Sequence, residues 1–319
     1  MANGSETNVD SGSAAVENKA VSLATLAEQT TIRRRSVKRA GSDSDTSSNC
    51  SRSAKIFDIE RNIESNLELA QELVSSATIS SRPVELSVVI PVYNEPVTVL
   101  EIVHRVRALP ISKQIVIVND GSTDATADRL NQLAGLEDVE VIHHSVNRGK
   151  GAALQTGFQR ARGEYVIVQD ADLEYDPQDI LKVIAPLQRG ECEVVFGSRY
   201  LENARQDPSR IHRLGNWALT FLSNMLTGHR LTDMETCYKA FRRERLERIE
   251  IEQKRFGFEP EITAKLARQR VRIREVGIQY QCRTRSEGKK IGWRDLFNAI
   301  YCILRYSLLP TKIDKQRVG

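Results

Sequence analysis

Asp170 and Asp172 stand one alanine apart, directly after the short apolar run at 165–168. Two carboxylates spaced i, i+2 beyond a buried strand offer the hard oxygen ligands that Mg²⁺ or Mn²⁺ prefers. A cation held there would bridge a diphosphate and neutralise charge developing on a leaving nucleotide. Glu174 would add a third oxygen two residues later. The structural alternative is a turn with capping side chains, for which Asp is equally suited.

Other apolar runs also end in polar groups. One leads into Pro91-Val92-Tyr93-Asn94-Glu95-Pro96 and another into Asn119-Asp120-Gly121-Ser122-Thr123-Asp124. The carboxylates of Glu95 and Asp120 would accept hydrogen bonds from ribose hydroxyls and base N–H groups, with Pro91 and Tyr93 beside them on the substrate. Capping of the following helices is the competing use of both acids. Arg148 and Lys150, in Asn147-Arg148-Gly149-Lys150-Gly151, open a glycine-rich helix start of the kind that meets phosphate. Arg199, in Gly197-Ser198-Arg199-Tyr200, would clamp a phosphate bidentately or else form an exposed ion pair. No GxGxxG follows the first strand, and Gly149-Lys150 lacks the Ser or Thr and the upstream glycine of a P-loop. Both common nucleotide motifs are therefore excluded.

These segments need a scaffold that gathers them. Runs at 86–92, 114–118, 139–143, 165–168 and 193–197 are β-branched without clean polar alternation, as expected of strands covered on both faces. Helical patterns near 96–109, 123–133, 150–161 and 177–189 lie between them, with Pro96 and Pro177 expected in first helical turns. The alternation predicts an α/β fold with a doubly wound, mainly parallel sheet, whose ligands bind beyond the carboxyl ends of the strands. Further on, helices are expected at 209–227, 259–269 and 293–308, and strands at 237–241 and 271–281.

The 319 residues carry a net charge of +4, which hides an asymmetry: −1 over 1–82, −6 over 83–238 and +11 over 239–319. An acidic middle suits a metal and nucleotide site, and a basic end suits an anionic acceptor or membrane surface. Residues 1–55 contain no aromatic side chain and read as a disordered tail, and 56–82 as a helical lead-in with apolar spacing over 56–76. The basic cluster Arg33-Arg34-Arg35-Ser36-Val37-Lys38-Arg39 reads as solvated tail, with no nucleic-acid partner expected. No stretch approaches the ~20 apolar residues of a membrane span. Five scattered cysteines, an odd number without CxxC spacing, fit a reducing cytoplasm.

Tyr93-Asn94-Glu95, Asn119-Asp120-Gly121-Ser122, Asn147-Arg148-Gly149-Lys150-Gly151, Asp170-Ala171-Asp172 and Gly197-Ser198-Arg199-Tyr200 together resemble a family 2 glycosyltransferase of GT-A fold. Downstream, Thr232-Asp233-Met234-Glu235-Thr236-Cys237-Tyr238-Lys239, Phe256-Gly257-Phe258-Glu259-Pro260-Glu261 and Glu287-Gly288-Lys289-Lys290-Ile291 resemble its dolichol-phosphate mannosyltransferase-like branch, which moves sugars onto polyprenyl phosphates. The resemblance covers about 86–308. It implies a domain over 83–310, with a nucleotide-sugar half to 200 and an acceptor half from 201 that ends in an amphipathic helix. It further implies that Asp120 contacts the base and that Asp170 and Asp172 hold Mg²⁺ or Mn²⁺ with the diphosphate. Glu174 takes a third metal-side position where relatives often place Gln, and Arg199 and Arg213 match phosphate-handling arginines that would act in catalysis with Asp172. Many relatives carry membrane-spanning helices after this domain; none occurs here up to Gly319, so the expected location is cytoplasmic and peripheral to a membrane.

The implied reaction moves a hexose from GDP-mannose or UDP-glucose to a polyprenyl phosphate with inversion. A phosphate monoester with a second pKa of about 6 is already a dianionic nucleophile at neutral pH and needs cations rather than a strong base. Arg199, Arg213, Arg283 and Lys289 or Lys290 are the candidates. The last helix, 293–309, would lie in the membrane interface or pack on the domain. Two rival readings are a sugar-hydroxyl acceptor, which would require Asp233, Glu235 or Glu259 as base, and a non-catalytic sugar-nucleotide scaffold.

Overall fold

The computed structural model describes residues 84–201, 210–282 and 293–309, with the side chains of 210–212 and 293–295 outside that description. The expected tail and lead-in (1–82), Arg283, Lys289 and Lys290 lie outside the described residues.

The first half alternates as the hydrophobic pattern dictates. The order is β1 (Leu86–Val92), α1 (Val99–Arg107), β2 (Lys113–Asn119), α2 (Thr126–Asn131), β3 (Val139–His143), α3 (Lys150–Arg160), β4 (Tyr165–Val168), α4 (Asp179–Gln188) and β5 (Val194–Ser198). Then come α5 (Arg210–Thr227), β6 (Lys239–Arg242), α6 (Arg243–Glu247), α7 (Phe258–Arg268), β7 (Ile273–Gly277) and α8 (Trp293–Leu308). Val88, Val89, Ile90, Ile115–Val118, Val166 and Ile167 are all fully buried, so the central strands are covered on both faces.

Among the described residues seven strands form one sheet in the order β3-β2-β1-β4-β6-β5-β7. β1 pairs in parallel with β2 and with β4, so the winding direction reverses at β1 and opens a crevice there. Val92 is opposite Asn119, which delivers Tyr93 and Asp120 side by side. Val168 is opposite Val89, and the Gln169 amide donates to the Val89 carbonyl at 3.0 Å, so Asp170 emerges beside the end of β1.

β6 is antiparallel to both β4 and β5, with Ile167 opposite Ala240 and Val195 opposite Ala240. Its entry therefore lies at the carboxyl ends of its neighbours and brings the loop 232–238 to the same edge as Asp170 and Arg199. Pro96 and Pro177 fall in turns ahead of α1 and α4 rather than in the helices themselves. α2 is shorter than expected because Asp124 Oδ1 accepts from the Thr126 amide at 2.9 Å and delays the helix start. No described helix is long and apolar enough to cross a membrane.

Candidate active site

Asp120 is buried at the exit of β2. Its Oδ1 accepts from the Arg148 amide at 3.0 Å and its Oδ2 from the Gly149 amide at 2.6 Å, while His144 Nδ1 lies 2.7 Å from Oδ1. Gly121 is required beneath this contact: its φ is +66°, and a Cβ there would stand 2.5 Å from the Val146 carbonyl carbon. Three of the carboxylate's about four acceptor positions are occupied, which leaves one on Oδ2. Glu95 Oε2 accepts from the Thr98 hydroxyl at 3.0 Å. Pro91 and Tyr93 are half-buried beside it, and the Asn94 Oδ1 accepts from the Thr123 amide at 2.9 Å.

The start of α3 differs from the phosphate cradle that its glycines suggest. The amides of Gly151 and Ala152 donate to the carbonyls of Arg255 and Lys254 at 3.3 and 3.0 Å. Gly149, at φ +97°, lets the chain pass the Lys254 carbonyl. With the Arg148 and Gly149 amides given to Asp120, most of this helix terminus is satisfied within the protein. What it contributes to the site is the Lys150 ammonium, 3.0 Å from Asp170 Oδ1 and 3.1 Å from Glu259 Oε1. Burial works to lower the pKa of Lys150, but the Asp170 and Glu259 carboxylates outweigh it and hold the pKa well above the ordinary lysine value.

Asp170 and Asp172 leave β4 in a loop whose Leu173 has φ +60°, and Asp172 Oδ1 accepts from the Glu174 amide at 3.1 Å. Glu174 Oε2 accepts from the Tyr280 hydroxyl at 2.8 Å. Among the described residues no three carboxylate, imidazole or thiol side chains gather as a preformed metal-holding group. Two carboxylates still fit Mg²⁺ or Mn²⁺, which are bound through one or two carboxylates with the other positions left to phosphate and water.

Arg199 is neither an exposed ion pair nor a free clamp. Its Nε and Nη2 donate to Asp233 Oδ2 and Oδ1 at 2.6 and 2.7 Å, and its backbone amide donates to Oδ2 at 3.1 Å. Nη2 also reaches Asn216 Oδ1 on α5 at 3.4 Å, and the guanidinium lies 5.1 Å from the centroid of the Tyr280 ring. Asp233 is fully buried, so this is a desolvated pair whose partner comes from the loop before β6. Arg213 is exposed on the first turns of α5, three residues ahead of Asn216.

The same loop is fastened along its length. The Met234 amide donates to Thr220 Oγ1 at 3.2 Å, and the Cys237 amide to the Tyr175 hydroxyl at 3.1 Å. The buried Lys239 ammonium donates to the carbonyls of Met234 and Thr236 at 2.8 and 2.5 Å. Glu235 Oε1 and Thr236 Oγ1 are exceptions, shielded from solvent and without a hydrogen-bond partner. Burial, reinforced by the Glu259 carboxylate, pushes the Glu235 pKa up to about 7. Glu259 goes the other way: Lys150 and Lys239 overcome its burial and hold it below the usual carboxylate range. Burial brings Lys239 down to about 8 against the pull of Glu259, Glu235 and Asp233.

Sequence reasoning missed His144, Tyr280 and Lys239 as members of this site. The His143-His144 pair after β3 was a usable signal, whereas nothing local marked a strand lysine or a tyrosine 106 residues from its acidic partner.

Comparison with known proteins identifies the family and the fold. Residues 87–250 match the family described as Glycosyl transferase family 2. A dodecaprenyl-phosphate galacturonate synthase of Rhizobium johnstonii is 31% identical over 173 residues, covering 52% of this chain and 50% of that protein. The dolichol-phosphate mannosyltransferase of Pyrococcus furiosus is 28% identical over 242 residues, covering 72% of this chain and 66% of the relative. The chain thus spans about half the length of the galacturonate synthase and two-thirds of the mannosyltransferase. Among solved structures, a glucosyl-3-phosphoglycerate synthase of Mycobacterium tuberculosis, bound to Mn²⁺, UDP and phosphoglyceric acid, shares the fold with a TM-score of 0.56 and 19% identity over 75% of this chain and 83% of its own. A carboxyl-edge site built on Asp120, Asp170 and Asp172, within a sheet of this order and a sequence that matches over half its length, makes the chain a glycosyltransferase of family 2.

Proposed function

We propose that this chain moves a hexose, mannose or glucose, from a nucleoside-diphosphate sugar to a polyprenyl phosphate, with inversion, at a membrane surface. The observation that carries the acceptor class is the two-sided character of α5. On one side Asn216 and Thr220 fasten Arg199 and the loop before β6. On the other, Leu214, Trp217, Phe221 and Met225 follow helical spacing and are exposed, Trp217 by 60% and Phe221 by 51%. α5 packs against α8, which exposes Phe297, Tyr301, Leu304 and Leu308. Apolar faces of this size suit the headgroup boundary of a bilayer, and a phosphate on a polyprenyl chain would be presented there.

On the donor side, the remaining acceptor position of Asp120 would take a base N–H. Asp170 and Asp172 would hold Mg²⁺ or Mn²⁺ against the diphosphate. Such a cation supplies stabilisation of the leaving nucleoside diphosphate. Lys150 would add fixed positive charge at the same edge. With Asp233 on its Nε and Nη2, Arg199 would meet an acceptor phosphate through Nη1, a single-point contact in place of the expected bidentate one. The acceptor dianion then attacks without a base.

Glu235 favours a second reading, a sugar-hydroxyl acceptor. With Asp233 committed to Arg199 and Glu259 to Lys150, it is the carboxylate of the three expected bases that retains an unpartnered oxygen, and a pKa of about 7 suits proton abstraction. The test is transfer of label from UDP-glucose or GDP-mannose, with Mn²⁺ or Mg²⁺, with and without polyprenyl phosphate, for the wild-type chain and Glu235→Gln. Label in the organic phase that survives Glu235→Gln supports the lipid phosphate. Collapse of transfer to a sugar acceptor in that variant supports the hydroxyl. Binding of donor without transfer to either acceptor would sink both readings in favour of a sugar-nucleotide scaffold.

A further inference from the structure

His144 touches Asp120 with a geometry that goes beyond filling space. The ring and the carboxylate are both buried, at 5% and 3% side-chain exposure. A carboxylate can only accept, so the hydrogen on the 2.7 Å contact belongs to His144 Nδ1. The other ring nitrogen, Nε2, lies 3.0 Å from Thr156 Oγ1 on α3, whose hydroxyl also reaches the Ala152 carbonyl at 3.1 Å. The His144 amide donates to the Asn119 carbonyl at 2.9 Å, so backbone and ring together grip the Asn119-Asp120 unit.

The rotation of an aspartate carboxylate about its last torsion is broad and weakly restrained. Without Nδ1–H, Oδ1 of Asp120 would keep only the Arg148 amide, and the carboxylate would lose one of its three restraints against rotation about the Gly149 contact on Oδ2. We propose that His144 is a positioning residue for the donor nucleotide: its Nδ1–H locks the Asp120 carboxylate so that the remaining acceptor position of Oδ2 faces the base. The proposal rests on the reading of Asp120 as the base contact.

The two ring nitrogens can be replaced separately. An asparagine amide at 144 reaches the position of Nδ1, and a glutamine amide reaches that of Nε2. Binding of UDP and of GDP, each with Mn²⁺, is measured calorimetrically for the full chain and for Asp120→Asn, His144→Asn, His144→Gln and His144→Ala. A lost hydrogen bond to a charged group corresponds to about tenfold or more in affinity. The expected pattern is about tenfold weaker binding of the preferred nucleotide for Asp120→Asn, His144→Gln and His144→Ala, with His144→Asn close to the wild type. If Asp120→Asn weakens binding while the Asn and Gln variants at 144 behave alike, or Gln is the better, the ring serves only the Thr156 side and the proposal is overturned. If Asp120→Asn binds both nucleotides as the wild type does, the base reading itself falls and takes the proposal with it. Should His144→Ala fail to fold, the comparison of the two amide variants, each with a melting curve, still decides.

Discussion

The exits of β1, β2 and β4 and the ends of β5, β6 and α7 both carry buried charges, but they hold them by different means. Asp120 is fixed by the amides of Arg148 and Gly149 and by one imidazole, so its geometry is built largely from backbone. Arg199 is fixed by Asp233, and Lys150 by Asp170 and Glu259, side chains from other parts of the chain, while Lys239 is held by the carbonyls of Met234 and Thr236 just ahead of it. A charge held partly by amides keeps those contacts when a neighbouring side chain is replaced. A buried charge neutralised by one distant side chain, as Arg199 is by Asp233, does not, because removing one member strands the other in a low-dielectric setting.

The largest test of this contrast removes the carboxylates at the crevice. Asp172→Asn is expected to lower kcat by about 10³, the scale on which loss of one preorganised charge contact at a leaving group acts. Donor binding without Mn²⁺ should change little, and steady-state transfer rates with a Mn²⁺ titration check both. On the other side, Asp233→Ala should cost about 3–5 kcal/mol of stability by leaving Arg199 buried and unpaired. Restoring most of that loss in Asp233→Ala/Arg199→Met, read from urea midpoints, would sharpen the contrast; no loss in the single variant would break it.

Glu235 gives a pH-resolved version. Its folded pKa of about 7 lies above the unfolded value of 4.5, so its contribution to stability is fully present below pH 4.5 and lost as pH rises through 7. Glu235→Gln should therefore gain stability relative to the wild type progressively from about pH 5 to 8. Urea midpoints across that range that move in parallel for the two proteins would refute it. The smallest effect concerns the outer face of α5. Trp217→Ser/Phe221→Ser should weaken sedimentation with anionic vesicles by about tenfold, about 1.4 kcal/mol, because rings lying at the interface are immersed only in part and gain less than the roughly 1.5–3 kcal/mol of a large side chain fully buried. Nucleotide binding and melting temperature should stay as they are, because both rings are exposed.

The acidic carboxyl edge was legible in the sequence for a physical reason. Strands buried on both faces must be continuous apolar runs, and a parallel sheet delivers their exits to one edge, so reading 165–168 as a strand already put Asp170 on the same edge as Asp120. Periodicity also found α5, α7 and α8 within two residues at each end. Pairing between elements was not legible. That Asp233 would take the fork of Arg199, that the first amides of α3 would go to the carbonyls of Arg255 and Lys254, or that Glu174 would bond to Tyr280 depends on the antiparallel entry of β6 and on where the segments before α7 and after β7 return to the site. No local pattern encodes those. The outer stripe of α5 was present at 214, 217, 221 and 225 but passed unremarked, because a single apolar face on a helix ordinarily means core.

The start of α3 carries one more consequence. The amides of Gly151 and Ala152 are consumed inside the protein, so under the proposed function a diphosphate at this helix start would depend chiefly on side chains and an exchangeable ion. Main-chain grips, as in a P-loop, are nearly indifferent to point substitution. A preference for one leaving group over another would then rest on a handful of replaceable side chains, and such a scaffold could change its donor over evolutionary time with little rebuilding of its loops.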